Sequence, residues 1–127
     1  MWTYNQEVEP PAPFLEVVVH HPEGRAQAAY VQAKIDTGAD ISTVPTTLIA
    51  QLELPVASKM IVEGYDSIPA TVSSYGVLIE VAGARFKDWE VIAIPEPYVL
   101  LGRDVLNHFY VQLNGPELTF NLSLTPI

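Results

Sequence analysis

Asp36-Thr37-Gly38 closes an apolar run in which Val31, Ala33 and Ile35 alternate with Gln32 and Lys34. A carboxylate at the end of a buried strand can be aimed, because the glycine lets another backbone approach and the threonine hydroxyl can hold the turn. The chemistry open to it is general acid and base catalysis. Hydrolysing an amide without a metal or a nucleophilic side chain needs a base to activate water and an acid to protonate the leaving group. Two carboxylates a few ångströms apart supply both, since like charges that close cannot both ionise and the pair shares one proton. Such a pair titrates as a unit. Three residues alone are also compatible with an ordinary turn, where aspartate, threonine and glycine are all common.

A second segment repeats the plan of apolar strand and glycine break. Val99-Leu100-Leu101-Gly102-Arg103-Asp104-Val105-Leu106 lies about sixty residues on, and between the two comes a hairpin with a polar tip. In this conjunction, with Ala39-Asp40-Ile41-Ser42 after the first break, the chain resembles the retropepsin-like aspartic peptidases over roughly residues 28 to 122. The resemblance implies an all-β fold, a closed antiparallel β-barrel of acid-protease type with two short helices and internal pseudo-symmetry. It also implies a homodimer. With one Asp-Thr-Gly per chain, the second carboxylate comes from the second copy, and the site lies on the two-fold axis. Asp36 is then the catalytic acid and base, Thr37 braces the two loops across the axis, and Gly38 leaves room for substrate backbone. Asp40 and Arg103 stand where the family has an ion pair tying the active-site loop to the C-terminal helix, a grip that a guanidinium fork suits.

The elements follow from pattern. Phe14 to His20 and Ala26 to Ile35 read as strands around His21-Pro22-Glu23-Gly24-Arg25, with Lys34 outward. Pro45 to Leu52 reads as one or two helical turns with a threonine N-cap, stopped by Pro55. Retroviral enzymes lack a helix here, so the chain looks closer to bacterial and eukaryotic intracellular members. The hairpin from Lys59 to Tyr75 is by position the flap, and Ala39, Asp40, Glu63, Gly64 and Tyr65 are the substrate-contact candidates. Its tip holds less glycine than retroviral flaps, which implies limited closure. Glu63 or Asp66 facing the cleft would favour cationic peptides. Gly76 to Val81 and Arg85 to Ile94 are further strands about a tight turn at Ala82-Gly83-Ala84. A short helix over Asp104 to Phe109 and a last hairpin about Asn114-Gly115-Pro116 complete the domain. The strand Glu117 to Leu122, with Leu118, Phe120 and Leu122 alternating, is the expected dimer sheet.

Composition bounds the rest. With 127 residues and 49% hydrophobic content, the expectation is a single domain over residues 14–127 behind a flexible, proline-rich arm at residues 1–13. Fifteen acidic against six basic residues give a formal charge of -9, which disfavours nucleic acid and anionic membranes as partners and leaves peptides and proteins open. Without cysteine there is no disulfide, thiolate metal site or cysteine nucleophile. His20 and His21 are adjacent and so point to opposite faces of a strand, a poor start for a metal site. No metal and no cofactor are expected. The start of the chain has no basic and apolar leader pattern and no stretch is long enough to span a bilayer, so the expectation is a soluble, cytoplasmic protein. The reading is a homodimeric aspartic endopeptidase acting on extended peptides; its rival is an inactive dimer of the same fold that serves as a peptide-binding or scaffold module.

Overall fold

The computed structural model describes residues 1–63 and 68–127. In chain order the elements are β1 (Trp2–Thr3), β2 (Phe14–His20), β3 (Ala28–Ile35), β4 (Thr43–Pro45), α1 (Thr47–Gln51), β5 (Val56–Glu63), β6 (Pro69–Val81), β7 (Ala84–Ile94), β8 (Val99–Leu101), α2 (Arg103–Leu106), β9 (Tyr110–Asn114) and β10 (Thr119–Ser123). Helices account for only 7% of the chain. None is long and apolar enough to cross a membrane among the described residues.

The main sheet runs β2-β3-β8-β4-β7-β6-β5, and a further pairing of β2 with β6 closes the first six strands into a barrel. β5 stays outside the ring as the free arm of the hairpin with β6. Alternation explains the interior. Leu15, Val17 and Val19 of β2, Val77, Ile79 and Val81 of β6, and Val99 and Leu101 of β8 are each no more than 2% exposed, so every second residue of each strand faces the barrel axis. Each such burial stabilises by about 1.5–3 kcal/mol against an exposed reference, before chain entropy is set against it.

Two seams correct the antiparallel expectation. β3 runs parallel to β8 and β4 parallel to β7, which makes the barrel mixed. For β3 and β8 the cause is the paired plan of the chain: the two strands that end in glycine breaks lie side by side in the same direction.

Other differences are local. β6 continues through Gly76, where the sequence suggests a break, because Gly76 N–H donates to Pro55 O at 3.0 Å and the ladder to β7 carries on beyond it. Thr46 occupies the N-cap position of α1 but makes no side-chain cap. The second helix is shorter than expected, with two single-turn bonds, His108 N–H to Val105 O and Phe109 N–H to Leu106 O, in place of its last turn.

The last hairpin forms a separate three-stranded sheet, β1-β10-β9. β10 was the expected dimer strand, yet β1 and β9 take both of its edges, and Phe120 and Leu122 are 2% and 4% exposed in the chain's own core. Trp2 stacks on Phe120 at 5.5 Å and Tyr4 meets its edge at 6.0 Å. The first thirteen residues thus contribute β1 to this sheet, and Asn5 and Ala12 exchange two backbone hydrogen bonds at 2.8 and 3.2 Å.

Candidate active site

Asp36 follows β3 directly, and its N–H donates to Leu101 O at 3.0 Å, so the parallel neighbour β8 fixes where the chain leaves the sheet. The next residues form a turn closed by Ala39 N–H to Asp36 O at 3.2 Å. Within the turn, Gly38 N–H donates to Asp36 Oδ1 at 3.1 Å and so orients the carboxylate. Among the described residues no hydrogen bond reaches the other oxygen, and Asp36 is half-buried. Thr37 and Gly38 are exposed beside it.

The Gly102 break holds this loop from behind. A Cβ at Gly102 would lie 2.9 Å from Ala39 O and 2.9 Å from the Ile41 carbonyl carbon, so only glycine fits this close crossing of two backbones. Arg103 N–H donates to Ala39 O at 2.9 Å, its guanidinium donates to Thr37 O at 2.8 Å, and the same group pairs with the Asp40 carboxylate. The structure therefore brings Asp40 and Arg103 together. Asp40 is 85% exposed, so the ion pair itself stabilises by less than about 1 kcal/mol. Its effect is geometric, because the same guanidinium also grips the Thr37 carbonyl.

An inner network was not legible in the sequence. Asp104 accepts three hydrogen bonds: from Ser42 N–H at 3.1 Å, Ser42 Oγ–H at 2.8 Å and Trp89 Nε1–H at 3.1 Å. Ser42 Oγ in turn accepts Gly102 N–H at 3.0 Å. The one available signal is that both partners lie just after a glycine break, Ser42 four residues past Gly38 and Asp104 two past Gly102.

A cleft of about 980 Å³ opens between the Asp36 loop, β5 and β7, a size that suits an extended ligand. Gly38, Ala39, Asp40 and Ile41 form one wall, Met60 to Glu63 the overhanging hairpin, and Asp88 to Glu90 with Ile92 the floor and far side. Of the expected contact residues, Ala39, Asp40 and Glu63 line it, whereas Gly64 and Tyr65 lie outside the described residues. The strand Val99–Leu101 does not line the cleft, because it is enclosed between β3 and β4. On the floor, Ser58 and Ser74 donate to Glu90 Oε1, the latter at 2.5 Å. These two hydroxyls, Ser58 first, hold the Glu90 carboxyl below its ordinary pKa.

The histidines are otherwise engaged. His20 Nε2 meets Glu80 at 3.1 Å, and the buried His21 accepts Glu23 N–H through Nδ1 at 3.1 Å. Among the described residues no group of acids and histidines is placed to hold a metal ion.

Comparison with known proteins agrees with this geometry. A family model described as aspartyl protease matches residues 24–105. Among solved structures, the EIAV protease complexed with the inhibitor HBY-793 is 25% identical with a TM-score of 0.56, the likeness covering 84% of this chain and 92% of that one. The simian foamy virus (mac) protease is 22% identical with a TM-score of 0.56, over 75% of this chain and 92% of that one. A retropepsin-like aspartic protease from Rickettsia conorii is 13% identical with a TM-score of 0.52, over 97% of this chain and 98% of that one. No curated protein sequence matches significantly. With a family match over more than half its length, a closed six-stranded barrel and these structural neighbours, the chain belongs to the aspartyl protease family and has the retropepsin-like fold.

Proposed function

We propose that the protein is a homodimeric aspartic endopeptidase in which Asp36 of each subunit supplies one carboxylate of the catalytic pair. The observation that carries this reading is the Asp36 carboxylate itself: one oxygen is aimed by Gly38 N–H, and the half-buried residue stands two residues before the Gly38–Ile41 wall of the cleft. Family membership supports peptidase chemistry, and one Asp-Thr-Gly per chain supports a site completed by a second copy. In the reaction, the ionised carboxylate takes a proton from water as the water oxygen attacks the scissile carbonyl carbon. The protonated carboxyl donates to the carbonyl oxygen. Collapse of the tetrahedral intermediate then breaks the C–N bond, and the proton taken from water passes to the leaving amine. Thr37 braces the paired loops, and Arg103 positions the loop through Asp40 and the Thr37 carbonyl. The hairpin of β5 and β6 covers an extended peptide, which is held by strand-like main-chain bonds.

Digestion of a proteome-derived peptide library by wild type and by Asp36→Asn, across the acid range in which a carboxylate pair holds one proton, tests this directly. Wild-type cleavage that vanishes in the variant supports the reading. A folded, dimeric wild type that cuts nothing at any pH overturns it in favour of a peptide-binding module.

A further inference from the structure

The floor of the cleft carries a pattern of polarity that peptide hydrolysis alone does not require. Among the described lining residues the charged ones are Asp40, Glu63, Asp88, Glu90 and Asp104, all acidic. Two are committed within the chain, Asp40 to Arg103 and Asp104 to its three donors. Glu90 differs from both. Its Oε1 receives the two serine hydroxyls, which are neutral and leave the charge in place, and among the described residues its Oε2 has no partner.

Strand register shows what lies next to it. Thr43 of β4 pairs with Ile92 of β7, and Ile92 pairs on its other side with Ser74 of β6. Paired residues point to the same face of a sheet, and so do residues two apart along a strand, at a separation of about 7 Å. Thr43, Ile92, Glu90 and Ser74 therefore share the cleft face, while Val44 and Val91 between them are 0% exposed in the core. Ile41, two residues before Thr43, lines the same cleft.

Thr43 is the second, independent sign of a ligand. It is only 5% exposed, and its Oγ1 is the one buried side-chain oxygen or nitrogen left without a hydrogen-bond partner among the described residues. An unmet hydroxyl in such a place costs stability unless something arrives to satisfy it. Val, of the same shape, would avoid that cost.

We infer, on the reading of this cleft as a peptide site, that its floor is a subsite for a lysine or arginine side chain of the substrate. The methylene stem lies over Ile41 and Ile92, the cationic head donates to Glu90 Oε2, and the Thr43 hydroxyl accepts another of its N–H groups. The lowered pKa of Glu90 serves the same end, since it keeps the carboxylate charged at the acid pH where paired carboxylates work.

The test is binding, with turnover removed. Blocked octapeptides holding lysine, arginine, norleucine or glutamine at each position in turn are titrated calorimetrically into the Asp36→Asn protein. At one position the lysine and arginine peptides should bind about tenfold more tightly than the norleucine peptide. Glu90→Gln, which still accepts both serine hydroxyls and so preserves the floor, should bring that ratio close to one. Thr43→Val should reduce it by a smaller factor. Absence of any basic preference, survival of the preference in Glu90→Gln, or failure of every peptide to bind would each overturn the inference. A wild-type protein that binds the basic peptides without cutting them would instead refute the peptidase reading and leave the subsite standing.

Discussion

The two glycine breaks share a backbone plan and differ in how far their carboxylates are occupied. β3 and β8 end side by side in parallel, joined at their ends by Asp36 N–H to Leu101 O. At the first break the chain makes an exposed turn, and among the described residues the Asp36 carboxylate receives a single hydrogen bond, from Gly38 N–H. Past the second it enters α2, and Asp104 receives three. A carboxylate surrounded by donors from its own chain has little capacity left for a ligand, whereas one with a free oxygen can meet water and a second carboxylate. The second half thus acts as the bracket that keeps the first half still while the Asp36 carboxylate stays accessible.

Substitutions in the bracket should weaken the fold in an order set by depth. Gly102→Ala has the largest expected effect, because a methyl group would press on the Ala39 and Ile41 backbone at 2.9 Å. A loss of about 3 kcal/mol in urea denaturation is expected, and an unchanged midpoint would mean that the two loops are not held against each other. Asp104→Ala comes next. It strips the buried Ser42 hydroxyl of its acceptor and should cost about 2 kcal/mol. In a Trp2→Phe background, emission from Trp89 should shift as its indole N–H is released; constant emission would remove Asp104 from the positioning of the cleft wall. Arg103→Lys is the mildest. It keeps the charge beside the exposed Asp40 and loses the fork that also reaches Thr37 O, so stability should fall by under about 1 kcal/mol, with the Asp40 part of the effect fading in salt. If the loop geometry matters to catalysis, turnover should fall further than stability does.

Local pattern made much of this legible. The strand Phe14–His20 is bounded as its β-branched run suggests, and the two glycine breaks stood out because apolar strands run into them. The hairpin turn at Ala82 and Gly83, with φ of 48° and 84°, is the two-residue type that favours glycine. What local pattern lacks is direction and distance. Nothing within β4 says that it runs parallel to β7, since that follows from how the chain returns across the barrel. Ser42 and Asp104 lie 62 residues apart, and each taken singly reads as a common surface residue. Glu90 likewise looks like one more solvated charge until Ser58 and Ser74 are brought to it from β5 and β6.

The central claim, that two copies of Asp36 make one site, is most directly tested by mixing. Wild type is exchanged with a rising excess of Asp36→Asn under conditions that let subunits redistribute, and hydrolysis of a fluorogenic peptide is followed at constant total protein. If each site draws one carboxylate from each subunit, mixed dimers are inactive and the rate falls as the square of the wild-type fraction. A rate that falls in simple proportion to the wild-type fraction would show that each chain works alone and would contradict the shared site.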